Sequence, residues 1–151
     1  EKEDGSGNVC YDAANHEKMT HLRADKVARI ANDLDPLEVH GEQEGELLIL
    51  GWGSTLGAIT GAVNVARDAG IKVSRTHLRH LNPLPSDLGD VLARLRHVLV
   101  PEMNMGQLAL LLRAKYLVDI VSFTKIQGKP FYRQEISDKI DEILESANHG
   151  S

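Results

Sequence analysis

The chain has 151 residues, one domain of ordinary size, with 42% apolar and 26% charged side chains. Aromatics are only 4%, so the core must be aliphatic, which argues against stacking platforms for single-stranded nucleic acid, and the single cysteine, Cys10, excludes an intrachain disulfide or a cysteine-ligated zinc or iron–sulfur site built by this chain alone. Apolar runs fall far short of the ~20 residues of a membrane helix, and Glu1-Lys2-Glu3-Asp4 is the opposite of a signal peptide's basic start; no membrane partner and a reduced, cytoplasmic setting are expected.

The net charge of −5 is unevenly spread. Residues 1–46 carry 12 acidic and 5 basic side chains, residues 47–132 carry 5 and 10, and residues 133–151 carry 5 and 2. A mildly basic middle between acidic ends is a candidate docking face for an anionic partner. Solvated helix faces and acidic tails are the plainer reading.

Residues 1–14 read as a flexible linker, since Asp4-Gly5-Ser6-Gly7-Asn8 is too polar and glycine-rich to order itself. Asn15 is a candidate cap for a first helix, whose stripe is Met19, Leu22, Val27, Ile30 and Leu34. That helix should stop before Pro36. Residues 35–46 hold five carboxylates and no Lys or Arg, an exposed acidic connection. Leu47–Leu50 is a continuous apolar run, as expected of a strand covered on both faces. A turn at Gly51–Thr55 leads into a helix that Gly70 ends. Ile71–Thr76 is a second strand, and Asn82–Pro85 a stiff connection. Ser86 is expected to cap a helix through Leu88, Val91, Leu92 and Leu95. His97–Val100 is a third strand, which Pro101 should end. Asn104 and Gln107 resemble a capping box for a helix reaching about Lys115. Val118–Thr124 is a fourth strand, and Ile136, Ile140, Ile143 and Leu144 mark a final helix.

This alternation predicts a three-layer α/β/α fold with a mainly parallel sheet and right-handed crossovers over residues 47–151, preceded by a leading helix and acidic connection at 15–46. In such folds, sites gather at the carboxyl ends of the strands. Gly51 and Gly53 invite a phosphate reading at a helix N-terminus. Leu56 stands where a third glycine belongs, and no Lys-Ser/Thr follows, so the dinucleotide and P-loop patterns both fail. His77 and His80 are at most half of a metal site. Glu102 follows a strand and could serve as an acid or base, but no second catalytic partner is visible, so a salt bridge or an interface contact is favoured. No catalytic or cofactor-binding residue stands out. The candidate crevice and interface residues are Trp52, Ser54, Thr55, Arg79, Glu102, Asn104 and Gln107.

Four stretches occur in order: Leu50-Gly-Trp-Gly-Ser-Thr-Leu-Gly-Ala-Ile59, His77-Leu-Arg-His-Leu-Asn-Pro-Leu-Pro85, Val98-Leu-Val-Pro-Glu-Met-Asn-Met-Gly-Gln-Leu108 and Lys125-Ile-Gln-Gly-Lys-Pro-Phe131. Together they closely resemble the C-terminal part of the alpha subunit of 2-oxoacid:ferredoxin oxidoreductases, the 2-oxoglutarate type above all. Asn15–Met19 and Arg23–Lys26 resemble the stretch leading into it. The resemblance implies a fold like the transketolase C-terminal domain. It implies a complete enzyme that decarboxylates a 2-oxoacid oxidatively and forms an acyl-CoA. Such an enzyme uses thiamine diphosphate, magnesium, CoA and a 4Fe–4S cluster on the beta subunit, with ferredoxin as acceptor. The thiamine-activating glutamate would lie upstream of this stretch. This segment alone is therefore expected to be inactive, to bind none of these cofactors by itself, and to serve domain packing against the rest of the alpha subunit and the beta subunit. Nucleic acid is not an expected partner. Homodimerisation of the isolated domain through a former interface is a further expectation. Two alternatives stand: a stand-alone module binding an anionic metabolite at Gly51–Thr55, and the equivalent domain of another transketolase-like 2-oxoacid dehydrogenase. The choice of 2-oxoacid is not encoded in this stretch.

Overall fold

The computed structural model describes residues 1–149. It divides into two compact units: residues 1–36 with 80–86, and residues 37–79 with 87 onward.

In the first unit, the stretch read as a linker holds a small hairpin. Lys2 pairs antiparallel with Val9, and the Cys10 N–H donates to the Glu1 carbonyl at 2.8 Å. Gly5 and Gly7 make this turn possible, with φ of 82° and 71°. Helix α1 (Ala13–Arg29) starts two residues earlier than its expected cap. Asp12 caps it, accepting the Ala14 N–H at 3.3 Å, while the Asn15 amide donates to the Lys2 carbonyl instead. The chain turns extended at Leu34, before Pro36. None of the α1 residues is buried; of the apolar stripe, Leu22, Val27 and Ile30 stand exposed.

The second unit is built on strands β1 (Gly45–Trp52), β2 (Val73–Leu78), β3 (Leu95–Glu102) and β4 (Ile120–Thr124). All pair in parallel, in the order β2-β1-β3-β4. Helices α2 (Leu56–Asp68), α3 (Leu88–Ala93), α4 (Gln107–Tyr116) and α5 (Arg133–His149) connect and follow them. The chain steps from β1 outward to β2, then back past β1 to β3 and β4. Right-handed crossovers in these two directions put α2 on one face and α3 with α4 on the other. Leu47, Ile49, Val73 and Leu99 pack against Ile59, Ala62 and Val63 of α2 and Ile136 and Ile140 of α5. Strand alternation turns the fully buried Leu48, Leu50 and Val100 to the opposite face. Both faces are covered, which is why the middle of β1 and of β3 read as unbroken apolar runs.

Gly51 sits where α2 crosses closest to the sheet. An added Cβ would lie 2.6 Å from Ile59 Cδ1 and 3.1 Å from both His77 Nδ1 and Thr55 Oγ1. Gly51→Ala is therefore expected to lower stability by about 1–3 kcal/mol, read as a lower urea midpoint at unchanged slope. An unchanged midpoint would show that α2 moves off the sheet without cost.

Three expectations are corrected. Pro101 does not end β3: it pairs with Phe123, and the strand runs to Glu102. The pairing of β3 with β1 has stopped at Leu99, so the proline falls where β3 is hydrogen-bonded on one side only. Ser86 does not cap α3; the residue at that position is Asp87, whose carboxylate accepts the Leu37 N–H at 2.8 Å. The acidic connection is not merely exposed chain. His40 pairs antiparallel with Arg75, and the Thr76 and Ser74 hydroxyls donate to the Glu38 and Glu42 carbonyls, so residues 38–42 strap the outer edge of β2.

Candidate functional site

Strand order reverses between β1 and β3, and the chain leaves their carboxyl ends toward opposite faces. A crevice opens at such a point. Here it is a cavity of about 250 Å³ lined by Trp52, Gly53, Ser54, Thr55, Met103 and Asn104.

On the β1 side the lining is held by Thr55. Its hydroxyl accepts the Trp52 N–H at 3.2 Å and donates to the Trp52 carbonyl at 2.8 Å, closing the Gly53–Thr55 turn ahead of α2. Gly53, at φ 59°, makes that turn without strain. The Trp52 Nε1 is buried without a hydrogen-bond partner.

On the β3 side the organiser is Glu102, which is fully buried. One carboxylate oxygen accepts the Leu108 N–H at 2.9 Å and the Asn104 amide at 3.2 Å; the other accepts the Ala109 N–H at 3.0 Å. The carboxylate thus caps the first turn of α4, where free N–H groups and the helix dipole favour negative charge. Asn104 Oδ1 accepts from Gly106 at 2.7 Å and Gln107 at 3.3 Å. The expected capping box is corrected: Gly106 holds the cap position of α4, Asn104 closes the turn in front of it, and Glu102 supplies the acceptor for the first helical N–H groups. The expected salt bridge or interface contact of Glu102 is corrected: its oxygens are spent on α4, beneath the surface.

Four of the seven candidate residues, Trp52, Ser54, Thr55 and Asn104, line the cavity. Glu102 supports it from below. Gln107 opens α4, exposed, and Arg79 stands exposed just past β2; neither is in the lining. Met103 was not singled out by the sequence, since a methionine after a strand carries no pattern. At the end of β4, Lys125 opens the fourth matching stretch but is not among the seven candidate residues. It is buried, with Nζ 2.8 and 2.7 Å from the two Glu135 oxygens, 3.0 Å from the Pro130 carbonyl and over the Tyr132 ring. Glu135 also accepts the Tyr132 N–H at 2.7 Å, so one ion pair fastens the β4–α5 connection. His77 lies against Gly51 with its Nδ1 buried and unpartnered. Among the described residues no group of three or more His, Cys, Asp or Glu is placed to hold a metal ion, and no helix is long and apolar enough to cross a membrane.

A doubly wound parallel sheet with an uncharged crevice at its switch point defines an α/β domain of the kind found in larger enzymes. The pyruvate:ferredoxin oxidoreductase core domain II family matches residues 45–136, and the chain belongs to that family. It is 47% identical over 137 residues to the 2-oxoglutarate oxidoreductase subunit KorA of Mycobacterium tuberculosis, covering 90% of this chain and 21% of that protein. It is 33% identical over 128 residues to the alpha subunit of 2-oxoacid:ferredoxin oxidoreductase 2 of Aeropyrum pernix, covering 79% of this chain and 20% of that one. The fold matches the 2-oxoglutarate:ferredoxin oxidoreductase of Magnetococcus marinus, solved with 2-oxoglutarate, coenzyme A and succinyl-CoA bound, at a TM-score of 0.88 and 31% identity, over 95% of this chain and 26% of that one. The chain is thus homologous to the alpha subunit of these oxidoreductases and spans about a fifth of the length of the curated relatives it matches.

Proposed function

We propose that this chain is the C-terminal α/β domain of the alpha subunit of a cytoplasmic, CoA-acylating 2-oxoglutarate:ferredoxin oxidoreductase. Its role is domain packing and subunit assembly, and the catalytic residues lie outside it. The observation that carries this reading is the chemistry of the switch-point cavity. Its lining has no Lys, Arg, Asp or Glu. Glu102, the acid beside it, has both oxygens engaged by α4. These residues do not fit thiamine diphosphate, which needs cations or a magnesium ligand set for its diphosphate and a free carboxylate to activate its ring. They do suit a neighbouring polypeptide: apolar Trp52 and Met103 beside the polar tips of Ser54 and Asn104. The rest of the alpha subunit and the beta subunit are the partners this reading names, with ferredoxin as the acceptor of the assembled enzyme.

Trp52 is the single tryptophan of the chain, so 5-fluorotryptophan labelling gives one 19F signal that reports on the cavity. Addition of the unlabelled remaining alpha segment and beta subunit is expected to shift that signal and bring the chain into one complex on gel filtration. Co-elution with the signal unmoved would place the contact elsewhere on the domain. Failure to co-elute at all would overturn the assembly reading.

A further inference from the structure

The carboxyl end of β2 carries three basic side chains on one row. Strand alternation places Arg75 and His77 on the α2 face with Val73, and Arg79 continues the row just past the strand. Successive members are about 6–7 Å apart along the backbone, so the two arginines flank the imidazole over about 13 Å. Neither arginine side chain has an ion-pair or hydrogen-bond partner among the described residues. The carboxylates of the strap beside them are engaged elsewhere: Glu38 lies 3.4 Å from His40 Nε2, and Glu42 is held by Arg67. The row also lies close to the start of α2, because His77 Nδ1 and Thr55 Oγ1 both sit 3.1 Å from the same point above Gly51. That helix end adds partial positive charge.

Burial holds the His77 imidazole below the ordinary histidine value, and the Arg79 and Arg75 guanidinium groups push it the same way. No carboxylate is among the groups acting on it. Positive charge is thus concentrated at the half-buried Arg75 and His77 and the exposed Arg79, with no carboxylate paired to either arginine among the described residues, in a chain whose net charge is −5.

We propose that Arg75, His77 and Arg79 form a binding site for the phosphate group of a small phosphorylated ligand. A carboxylate's two oxygens lie in one plane, so a single guanidinium fork takes the edge that both present. A phosphate monoester offers three tetrahedrally arranged oxygens, enough for a fork from each side and the imidazole between. The buried His77 Nδ1 leaves Nε2 to face the ligand. A bound dianion raises the proton affinity of the imidazole that the two arginines now depress.

The test is NMR on the His77 Cε1–H resonance, assigned by its loss in His77→Gln, at constant ionic strength. Inorganic phosphate and glycerol 3-phosphate are titrated separately, with poly-glutamate as a third arm. The expected result is a saturable shift with glycerol 3-phosphate and a His77 titration midpoint moved upward. Arg79→Ser, a change at an exposed side chain that leaves the fold intact, should weaken binding at least tenfold. A response to inorganic phosphate alone would mean that the site takes the free anion, overturning the ester assignment. A response to poly-glutamate alone would mean an acidic protein surface docks here. An unsaturable drift, or equal affinity in Arg79→Ser, would overturn the site altogether.

Discussion

Glu102→Ala is expected to remove about 3 kcal/mol of stability, because it strips two helix N–H groups of a charged acceptor in a buried place. The Leu108 and Ala109 N–H groups bond to nothing else once the carboxylate is gone, and the Asn104 amide loses its acceptor too. Water cannot replace it without opening the core, since Glu102 has no exposed surface. For a domain of this size such a loss lowers the melting temperature by about 6–12 °C. Glu102→Gln keeps one acceptor oxygen but turns an amide donor toward a helix donor, so it should lose roughly half as much. Thermal unfolding of the three proteins checks the order. A Glu102→Ala protein as stable as the parent would contradict the capping role. The consequence is also functional: Asn104, the cavity wall, is held by Glu102 and by the same turn, so a frayed α4 would loosen the proposed docking surface.

Glu135→Ala is expected to cost about 2 kcal/mol, less than a fully buried pair would, because the carboxylate is partly exposed and screened by solvent. The Lys125 side chain is only 6% exposed, whereas that of Glu135 is 36% exposed. Removing the acid leaves a buried ammonium with the Pro130 carbonyl and the Phe131 and Tyr132 rings as its remaining partners. The pair also has a pH signature. The Lys125 ammonium, then the Tyr132 N–H, holds the Glu135 carboxyl below the ordinary value of 4.5. A depressed folded-state value gives stability that is fully present above the unfolded-state value and is lost as pH falls through the folded one. Stability should therefore decline below about pH 4.5, and Lys125→Met should flatten that part of the decline. Urea unfolding at pH 7 and at pH 3.5 measures both effects. The same pH response in Lys125→Met as in the parent would show that other carboxylates carry it.

The elements were legible where burial imposes a pattern and illegible where backbone or lone side chains do the joining. Leu47–Leu50 announces β1 because both faces of that strand are covered. Its last residues, Gly51 and Trp52, carry no such signal, and only their pairing with His77 and Leu78 shows that the strand goes on. The 38–42 strap was invisible for the same reason: its bonds to β2 are made by main-chain N–H and carbonyl groups, which carry no side-chain pattern. Asn104 was readable as a residue that closes the turn into α4, because the N–H groups it accepts lie two and three residues on. Glu102 reaches α4 from six residues before Leu108, in a different element, and local pattern does not encode that contact. The α1 stripe illustrates the converse. Its spacing is plain in the sequence, yet within this chain Met19 and Leu34 are only half-buried and the rest of the stripe is exposed.

In the proposed role, the domain contributes structure to a thiamine-dependent enzyme without itself holding the cofactor. The most direct test of that role is calorimetric titration with thiamine diphosphate at saturating Mg²⁺, using the Arg79→Ser protein so that simple anion binding beside His77 does not register. No saturable heat and no rise in melting temperature are expected. Saturable, Mg²⁺-dependent binding would contradict that role, and would mean that the crevice between Trp52 and Asn104 carries part of the cofactor site itself.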